Sequence, residues 1–255
     1  MPKYKIGVTE AGDAGADLSW VNELNSVHGA IVITKRISSD FYDAVLAHKD
    51  KLIVHATLTG YGHSVLEPGV PSLYEEFNAI NALVRGGFPQ EKVVIRVDPI
   101  IPTEKGLKTA LNVIKCCMDV GFRRFRVSVI DMYPHVRRRF KEAGLPLPYG
   151  EQTFANREQM QLVDTMLKEA IAYWVNEGHP TSGLRIEACA EPYLNVPLKS
   201  GCISEYDLQL LGLDANDIDS TGYQRKACMC YSGKTELLKR KHRCEHNCLY
   251  CYWKD

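Results

Sequence analysis

Short β-branched runs alternate with amphipathic stretches along most of the chain, and this alternation limits the fold more than any other feature. The runs predict strands over residues 4–9, 30–34, 52–57, 93–97, 125–130 and 184–188. Helical periodicity fills 18–27, 40–48, 73–84, 107–120 and 157–175. Within the fourth of these, Leu107, Ala110, Leu111, Ile114, Cys117 and Met118 fall on the single apolar stripe of a half-buried helix. Ser72 and Glu75 have the spacing of a capping box just ahead of another. Strands that alternate with helices pair in parallel through crossovers, which gives an α/β barrel or an open doubly wound sheet. The expectation is a partial, TIM-like (β/α)6 barrel over residues 1–191. From residue 192 to 255 the pattern lapses, apart from a short helix near 204–211. That segment reads as a cysteine-rich, metal-organised cap on the same compact domain.

Apolar residues make up 45% and charged residues 24% of the 255, so the chain has material for a real core and is not disordered or fibrous. Thirty-one basic residues balance 31 acidic ones, which leaves no global field to recruit nucleic acid or an anionic membrane. No apolar run approaches about 18 residues, and the first residues lack the apolar core of a signal peptide. A soluble, cytoplasmic protein is expected.

Polar side chains gather at the carboxyl ends of the expected strands, the face where parallel α/β folds build their sites. They include Thr9, Glu10, Thr34, Lys35, Thr57, Thr59, Arg96, Asp98, Ser128, Asp131, Glu187, Cys189 and Glu191. Taken one at a time, ion pairing within a barrel explains each of them. As a ring on one face they point to a ligand site.

Nine cysteines, an odd number without a secretory signal, argue against a disulfide framework. The tail reads Cys244-Glu-His-Asn-Cys248-Leu-Tyr-Cys251. Three thiolates so spaced can hold three corners of an iron–sulfur cubane and leave one iron open. A zinc knuckle completed by Cys230 or His246 is the competing explanation. Cys116 and Cys117 fall in a helix and are expected to pack. Cys189, Cys202, Cys228 and Cys230 then remain, enough to close a second [4Fe–4S] cluster, to bind zinc, or to stay as thiols.

The CxxxCxxC tail, with Tyr250 directly before its last cysteine, resembles the signature of the radical S-adenosylmethionine (SAM) superfamily. Ile33-Thr-Lys35, Thr57-Leu-Thr59, Leu66-Glu-Pro-Gly69 and Arg96-Val-Asp-Pro are similar to its spore photoproduct lyase branch. The order of motifs, ending in Asp131-Met-Tyr133, Cys189-Ala-Glu191, Cys-x-Cys and CxxxCxxC, also resembles an uncharacterised bacterial family with the same terminal cysteines. In most of the superfamily the cysteine loop follows the first strand, whereas here it lies near the C-terminus.

The resemblance implies a [4Fe–4S] cluster on Cys244, Cys248 and Cys251 that cleaves SAM, and a flavodoxin- or ferredoxin-type electron donor. It implies SAM contacts from Thr34, Lys35, Thr57, Thr59, Arg96, Ser128 and Tyr250. Cys189, Glu187, Asp131 and Tyr133 would serve the chemistry, with Cys189 either a hydrogen donor or a ligand of the second cluster. Arg137–Arg139 and the basic run 239–243 could grip phosphates, or could be a solvated helix and tail. A nucleobase or nucleotide, including modified thymidine in DNA, is the leading substrate class for a lyase- or isomerase-type reaction. A peptide or small metabolite, or a zinc-stabilised binding protein without chemistry, are the alternatives.

Overall fold

The β-branched runs pair into one sheet because their residues are apolar on both faces, as the central strands of a parallel sheet must be. The structure is a computed structural model and describes residues 3–218, 229, 234–239 and 243–253. Its strands are β1 (Ile6–Val8), β2 (Gly29–Thr34), β3 (Leu52–Thr57), β4 (Val93–Ile100), β5 (Arg124–Val129), β6 (Arg185–Cys189), β7 (Leu198–Ser200) and β8 (Lys234–Glu236). The helices are α1 (Trp20–Glu23), α2 (Ser39–Ala47), α3 (Leu73–Arg85), α4 (Glu104–Asp119), α5 (Pro134–Glu142), α6 (Arg157–Asn176) and α7 (Glu205–Leu210). The eight strands form one curled, parallel half-barrel in the order β7-β6-β5-β4-β3-β2-β1-β8.

The six expected strands are all present, but the sheet is larger by two. The segment beyond residue 191 adds a strand at each edge: β7 pairs with β6 and β8 pairs with β1. Both additions are three residues long, too short for a periodic signal. Among the described residues, what organises this segment is strand pairing and α7. That helix starts at a capping box in which Ser204 and Asp207 bond reciprocally.

The two faces of the sheet are packed differently. Ala30, Val32, Leu52, Val54, Ile95 and Val127 point outward onto the helices, against Phe41, Ile80, Leu83, Ile114 and Leu167. On the concave face, Ile6, Val8, Ile31, Ile53 and Val94 meet Cys202, Ile203, Leu208 and Ile218, so the segment around α7 fills the hollow. Further along the same concave rows the residues turn polar: His55, Arg96, Arg126, Glu187 and Asp98. A hollow plugged by apolar residues at one level and lined by charges above it directs any ligand to the carboxyl ends of the strands. Among the described residues no helix is long and apolar enough to cross a membrane.

Candidate functional site

The first polar anchor is Asp13, in the turn after β1. Its carboxylate accepts from the backbone N–H groups of Gly15 (2.9 Å) and Lys35 (2.7 Å), and Thr34 Oγ1 lies 2.7 Å away. It also meets Nε2 of His246 at 3.1 Å, while Nδ1 of His246 lies 2.9 Å from the carbonyl oxygen of Gly69. His246 is fully buried. Burial alone would lower its pKa, but the hydrogen bond and charge of Asp13 outweigh it and hold the imidazole above its ordinary value. This pair seats the tail on the barrel mouth.

Beside it stands a cluster of three titratable groups. Lys35, just past β2, places Nζ 2.9 Å from Glu67 Oε1 and 3.0 Å from the Tyr250 hydroxyl. The same hydroxyl donates to Glu67 Oε1, and Thr59 Oγ1 donates to the other carboxylate oxygen at 2.6 Å. Glu67 is 1% exposed and the Lys35 side chain 17%. Burial would pull the ammonium down, but the charges of Glu67 and Asp98 outweigh it and raise the Lys35 pKa. Thr59 thus faces the cluster, whereas Thr34 is spent on Asp13 and the backbone of Arg36. Thr57 is buried at the end of β3, in the concave row of His55.

A second polar group lies across the mouth. Asp98 accepts from Arg96 on one carboxylate oxygen and from Ser128 on the other, which holds its carboxyl below the usual range despite burial. Glu191, after β6, accepts from the backbone N–H of Val129 at 2.7 Å, yet burial pushes its pKa up to about 8. Asp131 contributes to that rise. Tyr133 is placed elsewhere. It caps α5 and its ring stacks on His135, with Phe154 at its edge. Glu187 is spent in the hollow, 2.7 Å from an Arg126 nitrogen. His55 sits there with neither ring nitrogen hydrogen-bonded; burial and the neighbouring Arg126 keep it neutral.

The tail cysteines close over the Lys35 cluster. Burial pushes the Cys248 thiol up to about 12 and the Cys244 thiol up to about 11. Cys251 follows them, its carbonyl held by Arg139. Cys189, at the end of β6, has its sulfur 3.9 Å from that of Cys202. Cys228 and Cys230 lie outside the described residues. The arginine run is committed: Arg137 binds Met132 O, Arg138 pairs with Glu142, and Arg139 holds the tail. Lys239 pairs with Glu23.

Three residues of this polar mouth carried no periodic signal. Glu67 is flagged only by its Leu-Glu-Pro-Gly setting. Asp13 and His246 lie in loops, where partners come from tertiary structure alone.

A family model described as a domain of unknown function, DUF1848, matches residues 19–253. That span takes in nearly every element of the fold. The chain belongs to the DUF1848 family. No curated protein sequence matches it. Among solved structures, the FMN-binding beta-glucuronidase from Facaelibacterium prausnitzii L2-6 has 10% sequence identity to this DUF1848 chain and a TM-score of 0.33. The similarity covers 74% of this chain, which spans only 31% of that enzyme's length. At that distance nothing of the glucuronidase's site is carried over.

The family match overturns the resemblance to the radical SAM superfamily and to its spore photoproduct lyase branch. With it go the SAM-cleaving function, the lyase or isomerase class, the chemistry on nucleobases or DNA, and the SAM cofactor. The [4Fe–4S] cluster on the tail cysteines is corrected on the geometry too, whereas Cys228 and Cys230 of the second set lie outside the described residues. Among the described residues, no group of three or more His, Cys, Asp or Glu side chains is placed to hold a metal ion. Cys244, Cys248 and Cys251 share a loop, in which Cys244 lies in the field of Asp13 and Cys248 in that of Lys35 and Glu67. The same finding removes a zinc knuckle completed by His246; Cys230, the other candidate, lies outside the described residues.

Proposed function

We propose that this DUF1848 protein binds a small polar molecule at the carboxyl ends of its strands and transfers protons to or from it, with Lys35, Glu67 and Tyr250 as the working groups. The observation that supports this is the convergence of an ammonium, a carboxylate and a phenol from three distant segments, withdrawn from solvent at one end of a parallel sheet. Burying such groups costs several kcal/mol each in desolvation, roughly, and apolar contacts would hold a tail at lower cost. Titratable groups kept in a concave site against that cost are candidates for chemistry.

The roles follow from the bonding. The Tyr250 hydroxyl lies between a cation and a carboxylate, so its proton can pass to Glu67 or to a bound molecule. Lys35 holds the negative charge that remains, on the phenol or on the carboxylate. Thr59 fixes the far oxygen of Glu67 and leaves the near one for the proton. Arg96, Asp98 and Ser128 form the opposite wall and orient the ligand. Positioned acid–base groups of this kind contribute about 10²–10⁴-fold in rate. The architecture we favour is a TIM-like barrel left open along one side. We place the protein in the cytoplasm, a reading supported by its odd count of cysteines.

Thermal shift of the full chain against nucleotides, sugar phosphates, amino acids and dicarboxylates tests the reading. One class should raise the Tm of the wild type and leave Tyr250→Phe unmoved, since that variant keeps the ring and loses the hydroxyl. No shift in the wild type with any class, or equal shifts in both proteins, would overturn it.

A further inference from the structure

We infer that Cys189 and Cys202 form a reversible dithiol–disulfide pair, oxidised by a small-molecule disulfide. This goes beyond the proton-transfer site and does not depend on it. The two sulfurs lie 3.9 Å apart, on separate segments that the sheet holds in register. Cys189 is the last residue of β6 and pairs with Ser200 of β7, and Cys202 follows two residues later. A disulfide needs the sulfurs at about 2.05 Å. The sulfurs must approach by roughly 2 Å to bond, a shift on the scale of a side-chain rotation.

The surroundings suit thiolate chemistry. The Arg96 guanidinium lies in the field of both sulfurs, and that of Arg126 in the field of Cys202. Nearby cations favour the thiolate, the species that attacks a disulfide. Glu10, which hydrogen-bonds with Cys202 and titrates near 7 because of burial, can take up the thiol proton. The two sulfurs also differ in access. Cys189 is partly exposed and Cys202 is 4% exposed, so Cys189 meets the incoming molecule and Cys202 resolves.

The exchange balances in two steps. The Cys189 thiolate attacks the disulfide RSSR, its S–S bond breaks, and a mixed disulfide forms as one thiolate leaves. The Cys202 thiolate then attacks the Cys189 sulfur and displaces the second thiolate. The two thiol protons end on the two leaving groups. One protein disulfide and two RSH are produced, and a dithiol reductant reverses the sequence. Closure ties the end of β6 to the residue two past β7 and fixes the intervening 190–201 segment at the rim of the hollow.

Oxidised glutathione added to the reduced full-length protein, followed by alkylation and peptide mass mapping, tests the pair. The expected product is a Cys189–Cys202 cross-linked peptide that dithiothreitol reverses. Cys202→Ser should instead keep one glutathione on Cys189, because the resolving thiol is gone. The wild-type map stands even if that variant does not fold. Glutathione retained on Cys189 in the wild type, a cross-link from either cysteine to the tail, or no reaction at either residue would each overturn the pair.

Discussion

Arg139 of α5 donates to the carbonyl oxygens of Cys251, at 2.6 Å, and of Trp253, at 2.7 Å. A buried guanidinium in the middle of the chain therefore holds the end of the tail, and the tail carries Tyr250 to the Lys35 cluster. Hydrogen bonds from a charged donor are worth about 1.5–3 kcal/mol each, more than neutral ones. Arg139→Met should cost roughly 2 kcal/mol in urea unfolding. It should also raise hydrogen exchange across residues 243–253 while the sheet stays protected. Unchanged exchange in the tail would show that other contacts hold it.

Gly69 makes the opposite contact, by being small. A Cβ built there would lie 2.6 Å from the Glu245 oxygen and 2.8 Å from the His246 Cα, both backbone atoms that cannot swing aside. Its N–H also donates to the carbonyl of His246 at 3.1 Å. Gly69→Ala should lift the tail and separate His246 from Asp13, with little effect on the sheet. The imidazole would then lose the partner that raises its pKa, and His246 should titrate lower by NMR than in the wild type.

Much of this architecture was legible because buried parallel strands announce themselves. Residues 52–57 read as a strand and are β3, and Ser72 with Glu75 does form the capping box that starts α3. The six expected strands fall short of the sheet only where β7 and β8 are added, since three residues give no period. The helix α5 was legible only as a charge run, because its buried face is Val136, Arg139 and Phe140 and one of these is an arginine. At the site, Lys35, Thr59 and Tyr250 each bond to Glu67, whereas Glu187 and Thr34 are taken up by neighbours. Position at a strand end shows which face a residue can reach. It does not show whether a partner such as Arg126 or Asp13 has already claimed it.

Asp207 and Arg124 form a buried ion pair, with Arg126 3.6 Å from the second carboxylate oxygen. Asp207 is fully buried. Burial would raise its pKa, but Arg124 and then Arg126 outweigh it and hold the carboxyl at about 2. The folded-state value is depressed, so this stability is present above the ordinary value near 3.8 and is lost as pH falls from there to about 2. Asp207→Asn leaves Arg124 buried with its charge uncompensated and should cost about 3–5 kcal/mol at neutral pH. Urea titrations from pH 5 to pH 2 should also read a shallower acid-side decline in the variant, because Asp98 and Asp13 still contribute theirs. A variant as stable as the wild type would show that the pair contributes nothing net.

Glu76 has the opposite sign. Its carboxylate oxygens both accept from the Ile37 N–H at 3.2 Å, on the first turn of α3, yet the side chain is only 2% exposed. Burial pushes its pKa up to about 8, and the charge of Asp13 adds to the rise. The folded state then keeps a proton that the unfolded chain releases near 4.5. Stability from this group is fully present below 4.5, declines as pH rises to about 8, and is level above that. Glu76→Gln retains an oxygen to accept from Ile37 and cannot ionise. It should match the wild type near pH 4.5 and exceed it in Tm by several degrees at pH 8.5, with a flatter profile between. Because Glu76 also senses His246 and Lys35, the same titration reports on the tail: in Gly69→Ala the decline should steepen as the compensating imidazolium withdraws. Equal slopes for wild type and Glu76→Gln between pH 5 and pH 8 would show that the carboxyl is ionised in the fold.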